Sequence, residues 1–250
     1  MAVDGGHGGS WAAGDIVVKP ADRDEAEIEW EDALFASIRR DGFRVAPPRQ
    51  ALDGRFIHDG WVASERVTGR HEPGRWADIV AVGERFHAAL AAVPRPAAII
   101  ERRTDRWAVG DRVAWGELPA ADFVEAAHIS RLATVLRPVE ASSQVIHGDL
   151  TGNVLFEPGL PPAIIDFVPR WRPAGLAAAV VVADALVWEG ADKSLLDAVS
   201  HIPELDQFFV RALIYRLVAD SLNRVGEPPR PPDADPYRVP VELAIEVARR

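Results

Sequence analysis

Two brief apolar runs, Gln144–Ile146 and Ala163–Phe167, enclose the densest polar motif of the chain, His147-Gly148-Asp149-Leu150-Thr151-Gly152-Asn153-Val154-Leu155-Phe156, and the second run itself carries Asp166. Asp and Asn cap turns in many loops. Here, however, Asp149, Asn153 and Asp166 stand in the order that phosphoryl transfer requires. That chemistry needs a carboxylate to orient an attacking hydroxyl, then oxygen acceptors that hold magnesium against the phosphate oxygens. A fold for this chain has to bring those three side chains together.

The segments on either side differ in character. Upstream lies a glycine-rich tract, Gly5-Gly6-His7-Gly8-Gly9-Ser10-Trp11, then the β-branched run Asp15-Ile16-Val17-Val18-Lys19, which reads as a strand. From Asp22 to Arg40 the pattern is helical, with Ile28, Glu31, Phe35 and Ile38 on one stripe. Gly54–His58 and Trp61–Val67 read as a hairpin, joined at Asp59-Gly60, a strong turn signal. Beyond this, helices are predicted over Trp76–Ala92, Ala120–Leu136, Gly175–Glu189, Leu205–Val225 and Val239–Arg249, with a Pro-rich surface loop over Gly226–Pro240. The reading is an α+β chain, a small mixed part before a larger helical one.

Composition removes several function classes. With Lys+Arg 28 against Asp+Glu 38 the net charge is −10, the wrong sign for gripping nucleic acid phosphates and open to a cationic substrate. No cysteine is present, which excludes disulfides and thiol nucleophiles, and the seven histidines show no metal-binding spacing. Met1–Lys19 lacks the pattern of a signal peptide, and the most apolar stretch, Gly175–Val187, is too short to span a bilayer and carries Asp184. No membrane association is expected, and the cytoplasm is the default location.

The His-Gly-Asp loop, its following Asn and the later Asp after two apolar residues resemble the aminoglycoside phosphotransferase superfamily, which shares the protein-kinase fold. The glycine loop, Lys19-Pro20, Gly42-Phe43-Arg44-Val45 and His147–Asn153 together resemble an actinobacterial group within it, a likeness that brings no substrate. The resemblance implies a bilobal fold: a small β-rich lobe over residues 1–68 and a helical lobe over 69–250. Only Met1–Asp4 precede the glycine loop, so the first lobe is expected to be short at that edge or the true start to lie upstream.

The same resemblance implies ATP and Mg²⁺ as cofactors, and roles for individual residues. Asp149 is the catalytic carboxylate, Asp166 bridges magnesium to the phosphates, and Asn153 holds a second metal position. Lys19 binds phosphate, and Val17, on the same face of the strand, covers the adenine. Gly8, Gly9 and Ser10 belong to the phosphate loop, and Glu65 and Val67 to the link between lobes. Glu31 is the best partner for Lys19, fixing its ammonium while leaving donors for phosphate; Glu27, one turn earlier, is the alternative. His147 organises backbone, His87 is a hydrogen-bonded core histidine, and Asp184 supports the loop by binding its backbone. Arg170 or Arg172 steadies transferred phosphate; Trp107, Trp115 and Trp171 are core or lobe contacts, with substrate stacking as the alternative, and Trp171 and Arg172 follow Asp166 closely enough to line the acceptor pocket.

The implied activity is transfer of the γ-phosphate to a hydroxyl of a small molecule, for instance an amino sugar or another cationic metabolite. Two departures from the family pattern favour a second reading, a nucleotide-binding regulator with little or no turnover. Three residues, Leu150-Thr151-Gly152, separate Asp149 from Asn153 where the family usually has four, and Trp11 stands at the last glycine position of the phosphate loop.

Overall fold

The computed structural model describes residues 9–120 and 123–250. Gly8, with the glycines before it, lies outside the described residues.

The N-terminal part is an antiparallel sheet. Strand β1 (Trp11–Ala13) pairs with β2 (Ile16–Pro20), β2 with β6 (Trp61–Glu65), and β6 with both β4 (Pro48–Arg49) and β5 (Ile57–His58). The hairpin turn is where the sequence places it: Asp59 and Gly60 both have positive φ, 50° and 79°, the backbone of a type I′ turn. Its strands are shorter than the expected runs.

Helix α1 (Glu25–Ser37) packs beside this sheet. It starts at Glu25 because the Asp24 side chain accepts from the Glu27 N–H at 2.9 Å, and it stops when Ile38 turns extended. Ile28 joins Phe56 and Val62 in a small core beneath the sheet. Leu34 and Phe35 belong instead to the main core, so α1 spans both parts.

Strand β3 (Arg44–Val45) leaves the first part altogether. It pairs in parallel with β9 (Ala163–Ile164), which pairs antiparallel with β8 (Val154–Leu155). A second small ladder joins β7 (Gln144–His147) to β10 (Pro169–Arg172). These two ladders carry the polar motif and sit on the helical part.

The helices are α2 (Trp76–Leu90), α3 (Ala97–Ile100), α4 (Arg106–Ala114), α5 (Ala126–Ala133), α6 (Gly175–Trp188), α7 (Ser194–Ala198), α8 (Leu205–Asn223) and α9 (Arg238–Ala248). Helix α6 is apolar on every side and is accordingly buried along almost its whole length, against α2 and α8. Gly110 lets α4 approach α8: a Cβ there would stand 2.6 Å from the Tyr215 carbonyl oxygen. Helices α3, α4 and α7 escape the sequence reading, and the helix expected over Ala120–Leu136 runs only from Ala126 to Ala133. Among the described residues no helix is long and apolar enough to cross a membrane.

Candidate functional site

A cavity of about 770 Å³ lies where the N-terminal sheet meets the β8–β9 ladder. Gly9, Ser10, Val17 and Lys19 border it from the first part, Asn153, Leu155 and Asp166 from the second, and Glu65 and Val67 along the connection. Alternation on β2 explains why Val17 and Lys19 share this wall while Val18 does not. Trp11 is not on it. Trp11 pairs with Val18 in β1–β2, is 40% exposed and packs edge-on against Trp61.

The floor is set by the β8–β9 register. Val154 opposes Ile164, and the Ile165 N–H donates to the Asn153 carbonyl at 3.0 Å, so Asn153 and the strand end at Asp166 are neighbours. The three-residue loop before Asn153 closes because Gly152 adopts φ +77° and the Asn153 N–H reaches Leu150 O at 3.0 Å. Asn153 Nδ2 then donates to the Asp149 carbonyl at 2.8 Å. Its Oδ1 accepts no hydrogen bond from a described residue, and the residue borders the cavity.

His147 organises this loop. Its Nδ1 accepts from the Asp149 N–H and its Nε2 donates to Ile165 O, both at 3.1 Å, which defines the neutral tautomer with the proton on Nε2. Burial lowers its pKa, in keeping with that neutral form. The His147 N–H in turn donates to Nε2 of the buried His87 at 3.1 Å. Burial, with His147 nearby, drops the His87 pKa to about 3.

Asp166 takes φ +49°, a left-handed conformation uncommon outside glycine, and its carboxylate faces Lys19. Lys19 Nζ lies 2.6 Å from Asp166 Oδ1 and 3.2 Å from Asp22 Oδ2. Burial works against the Lys19 charge, but Asp166 and Asp22 outweigh it and raise its pKa. Burial likewise opposes ionisation of Asp166, yet Lys19 draws that carboxyl below its ordinary value.

The expected Lys19–Glu31 pair is not present. Glu31 borders the cavity but binds the guanidinium of Arg23, and Glu27, the alternative, binds Arg103 at 2.9 Å. Both glutamates sit on the face of α1 that the periodicity assigned, and each buried carboxylate is met by one guanidinium nitrogen, from Arg23 and Arg103 respectively. Burial raises the Glu31 pKa in spite of Arg23.

Asp149 lies outside the cavity, beyond Asn153. Its Oδ1 accepts from Arg216 Nη2 at 2.5 Å, and the same guanidinium grips Asp184 through Nε at 2.7 Å and Nη2 at 2.5 Å. Asp184 therefore reaches Asp149 through Arg216, with the side chain of the loop residue Thr151 also acting on it, and not through loop backbone. Burial pushes the Asp184 carboxyl up, and Arg216 opposes that. The signal for Arg216 was present in the sequence: a lone arginine in the apolar run Leu213-Ile214-Tyr215-Arg216-Leu217-Val218, matching a lone carboxylate in apolar α6. Arg172 is taken up by Asp111 and Glu117, whereas Arg170 lies buried against Gly148. Trp107, Trp115 and Trp171 pack on the main core.

The donor set suits magnesium. Among the described residues no three His, Cys, Asp or Glu side chains form a metal cage. Magnesium at a nucleotide site takes one or two protein oxygens and completes its shell with water and phosphate, and Asp166 and Asn153 Oδ1 are hard oxygen donors on one wall.

Comparisons with known proteins bear on the fold and the family. No curated protein sequence matches the chain. Among solved structures it is similar to the aminoglycoside phosphotransferase APH(4)-Ia, with a TM-score of 0.59 and 11% identity over 100% of this chain and 92% of that one. It is similar to spectinomycin phosphotransferase APH(9)-Ia in complex with ADP and spectinomycin, with a TM-score of 0.56 and 13% identity over 100% and 92% of the two chains. A microcompartment-associated aminopropanol kinase gives a TM-score of 0.54 and 18% identity over 94% and 82%. These likenesses show the kinase-like bilobal α+β fold. The profile of the family described as "Phosphotransferase enzyme family", APH, matches residues 7–169, from the glycine tract through the Asp166 strand end. On that match, which takes in well over half of its length, the chain belongs to the APH phosphotransferase family.

Proposed function

We infer that the chain transfers the γ-phosphate of ATP to a hydroxyl of a small molecule. The observation that carries this reading is the convergence of Lys19, Asp166 and Asn153 on one cavity, with Asp149 one hydrogen bond beyond Asn153. Val17, Glu65 and Val67 line the adenine end, Gly9 and Ser10 belong to the loop over the phosphates, and Lys19 turns from Asp166 to the phosphate oxygens. Magnesium, held by Asp166 and Asn153, supplies charge neutralisation on those oxygens. Asp149 accepts a hydrogen bond from the acceptor hydroxyl and takes its proton as the new O–P bond forms and the bond to the β-phosphate oxygen breaks, releasing ADP. Residues 1–68 serve as the nucleotide lobe and 69–250 as the lobe for the loop and acceptor, in a cytoplasmic enzyme.

An amine-bearing acceptor, such as an amino sugar, accords with the net charge of −10 and with relatives named for aminopropanol and aminoglycosides. Calorimetry with magnesium and ATP, combined with phosphate transfer across a panel of hydroxylated amines, tests the reading. Tight nucleotide binding with no acceptor phosphorylated would instead favour the regulator. Against that alternative stands the shortened loop itself, which still delivers Asn153 to the cavity.

A further inference from the structure

The cation that Glu31 steadies is Arg23, a residue to which the sequence pattern gives no part. Arg23 directly precedes the α1 N-cap Asp24, borders the same cavity as Lys19 and Asp166, and has an 11% exposed side chain. Nη1 is bound by Glu31 and lies 3.4 Å from the carbonyl oxygen of Phe167, the residue after Asp166. Nε is buried with no hydrogen-bond partner among the described residues, the Asp22 carboxylate standing 3.7 Å away, and Nη2 makes no hydrogen bond to a described residue. A charged donor held out of water without an acceptor is unfavourable unless a ligand supplies one.

The local charge count points the same way. Asp22, Glu31 and Asp166 crowd this end of the cavity, and Lys19 is already divided between two of them. Without Arg23, three carboxylates would face one ammonium, an environment that repels a polyphosphate. A carboxylate that fixes a cation while leaving donors free is the device expected of Lys19; here it operates on a guanidinium, whose fork suits phosphate oxygens.

We propose that Arg23, held by Glu31, is a second phosphate-binding cation of the nucleotide site. This rests on the nucleotide reading of the cavity. Lys19 and Arg23 divide the polyphosphate between them, Lys19 on the side of Asp166 and Arg23 on the side of α1.

The test is calorimetric titration of adenosine, AMP, ADP and ATP into the wild type, Arg23→Lys, Arg23→Gln and the double variant Arg23→Gln with Glu31→Gln, which leaves no unpaired buried charge. The expected result is a loss that grows with phosphate number: adenosine affinity within about twofold of wild type and ATP affinity down about tenfold or more in both glutamine variants, with Arg23→Lys between. Equal losses for adenosine and ATP would show that Arg23 only braces α1 and would overturn the proposal, as would ATP affinity unchanged in the double variant. A wild type that binds none of the four ligands removes the nucleotide reading itself, and the proposal with it.

Discussion

Arg216 reaches from α8 to Asp149 and donates to one oxygen, Oδ1, at 2.5 Å; in the proposed reaction Oδ2 is the atom that meets the acceptor hydroxyl. The same guanidinium, 2% exposed, closes on Asp184. Lysine keeps the charge but lacks the planar fork that holds Asp184 through two nitrogens while also reaching Asp149. Arg216→Lys is expected to lower kcat by roughly one to two orders of magnitude while nucleotide affinity stays within about twofold, since the residue does not border the cavity. Arg216→Ala leaves Asp184 buried and unpaired, and urea unfolding is expected to show a loss of about 3–5 kcal/mol.

Asp149→Asn removes the proton acceptor but keeps a side chain of the same shape. Turnover is expected to fall by roughly 10²–10⁴-fold. Nucleotide affinity measured by calorimetry stays close to that of the wild type, because Asp149 lies outside the cavity. A parallel loss of both would remove Asp149 from the catalytic role.

Lys19→Ala separates binding from folding. The Lys19–Asp166 pair is partly exposed, so its removal is expected to change unfolding free energy by less than about 1 kcal/mol. Nucleotide affinity should drop at least tenfold. A large fall in the melting temperature of the ligand-free protein would show that the pair is structural.

His87 gives the stability a pH dependence of defined sign. Its pKa is about 3 in the folded chain against a reference value of 6.5, so between those values the unfolded state binds the extra proton. Stability is then lost as pH falls below 6.5, by about 1.4 kcal/mol per unit at most and about 2 kcal/mol by pH 5. In His87→Gln, whose amide oxygen still accepts from the His147 N–H, the plot of unfolding free energy against pH between 6.5 and 4 is expected to flatten by that amount.

Gly110→Ala places a methyl group against the Tyr215 backbone and pushes α4 from α8. Overpacking of this kind costs about 1–3 kcal/mol. Because α8 carries Arg216, turnover should fall with stability, measured by kcat alongside thermal unfolding.

Much of the site is legible in the sequence because its residues are local: His147 to Asn153 and Asp166 belong to one turn and two short strands. Val17 and Lys19 follow from strand alternation, and Asp59-Gly60 from turn chemistry. What stays hidden depends on contacts between distant segments. Periodicity puts Glu27 and Glu31 on one face of α1 but does not say which cation meets them, and two arginines take the places expected for Lys19. Helix α4 hides because its buried face is built from Ala108, Gly110, Asp111, Val113 and Ala114, small residues and a carboxylate that Arg172 binds, rather than from large apolar side chains. The departure of β3 from the first part has no local signature at all, since its partner β9 lies far along the chain.

That parallel pairing is reinforced by one arginine. Arg44 bonds Thr68 O at 2.9 Å and Pro161 O at 2.8 Å, so β3, the linker and the β8–β9 turn are sewn into one seam. Parting the β8–β9 turn from the linker at this point would cost both Arg44 bonds, so the two distant segments that meet here are tied by more than the chain between them.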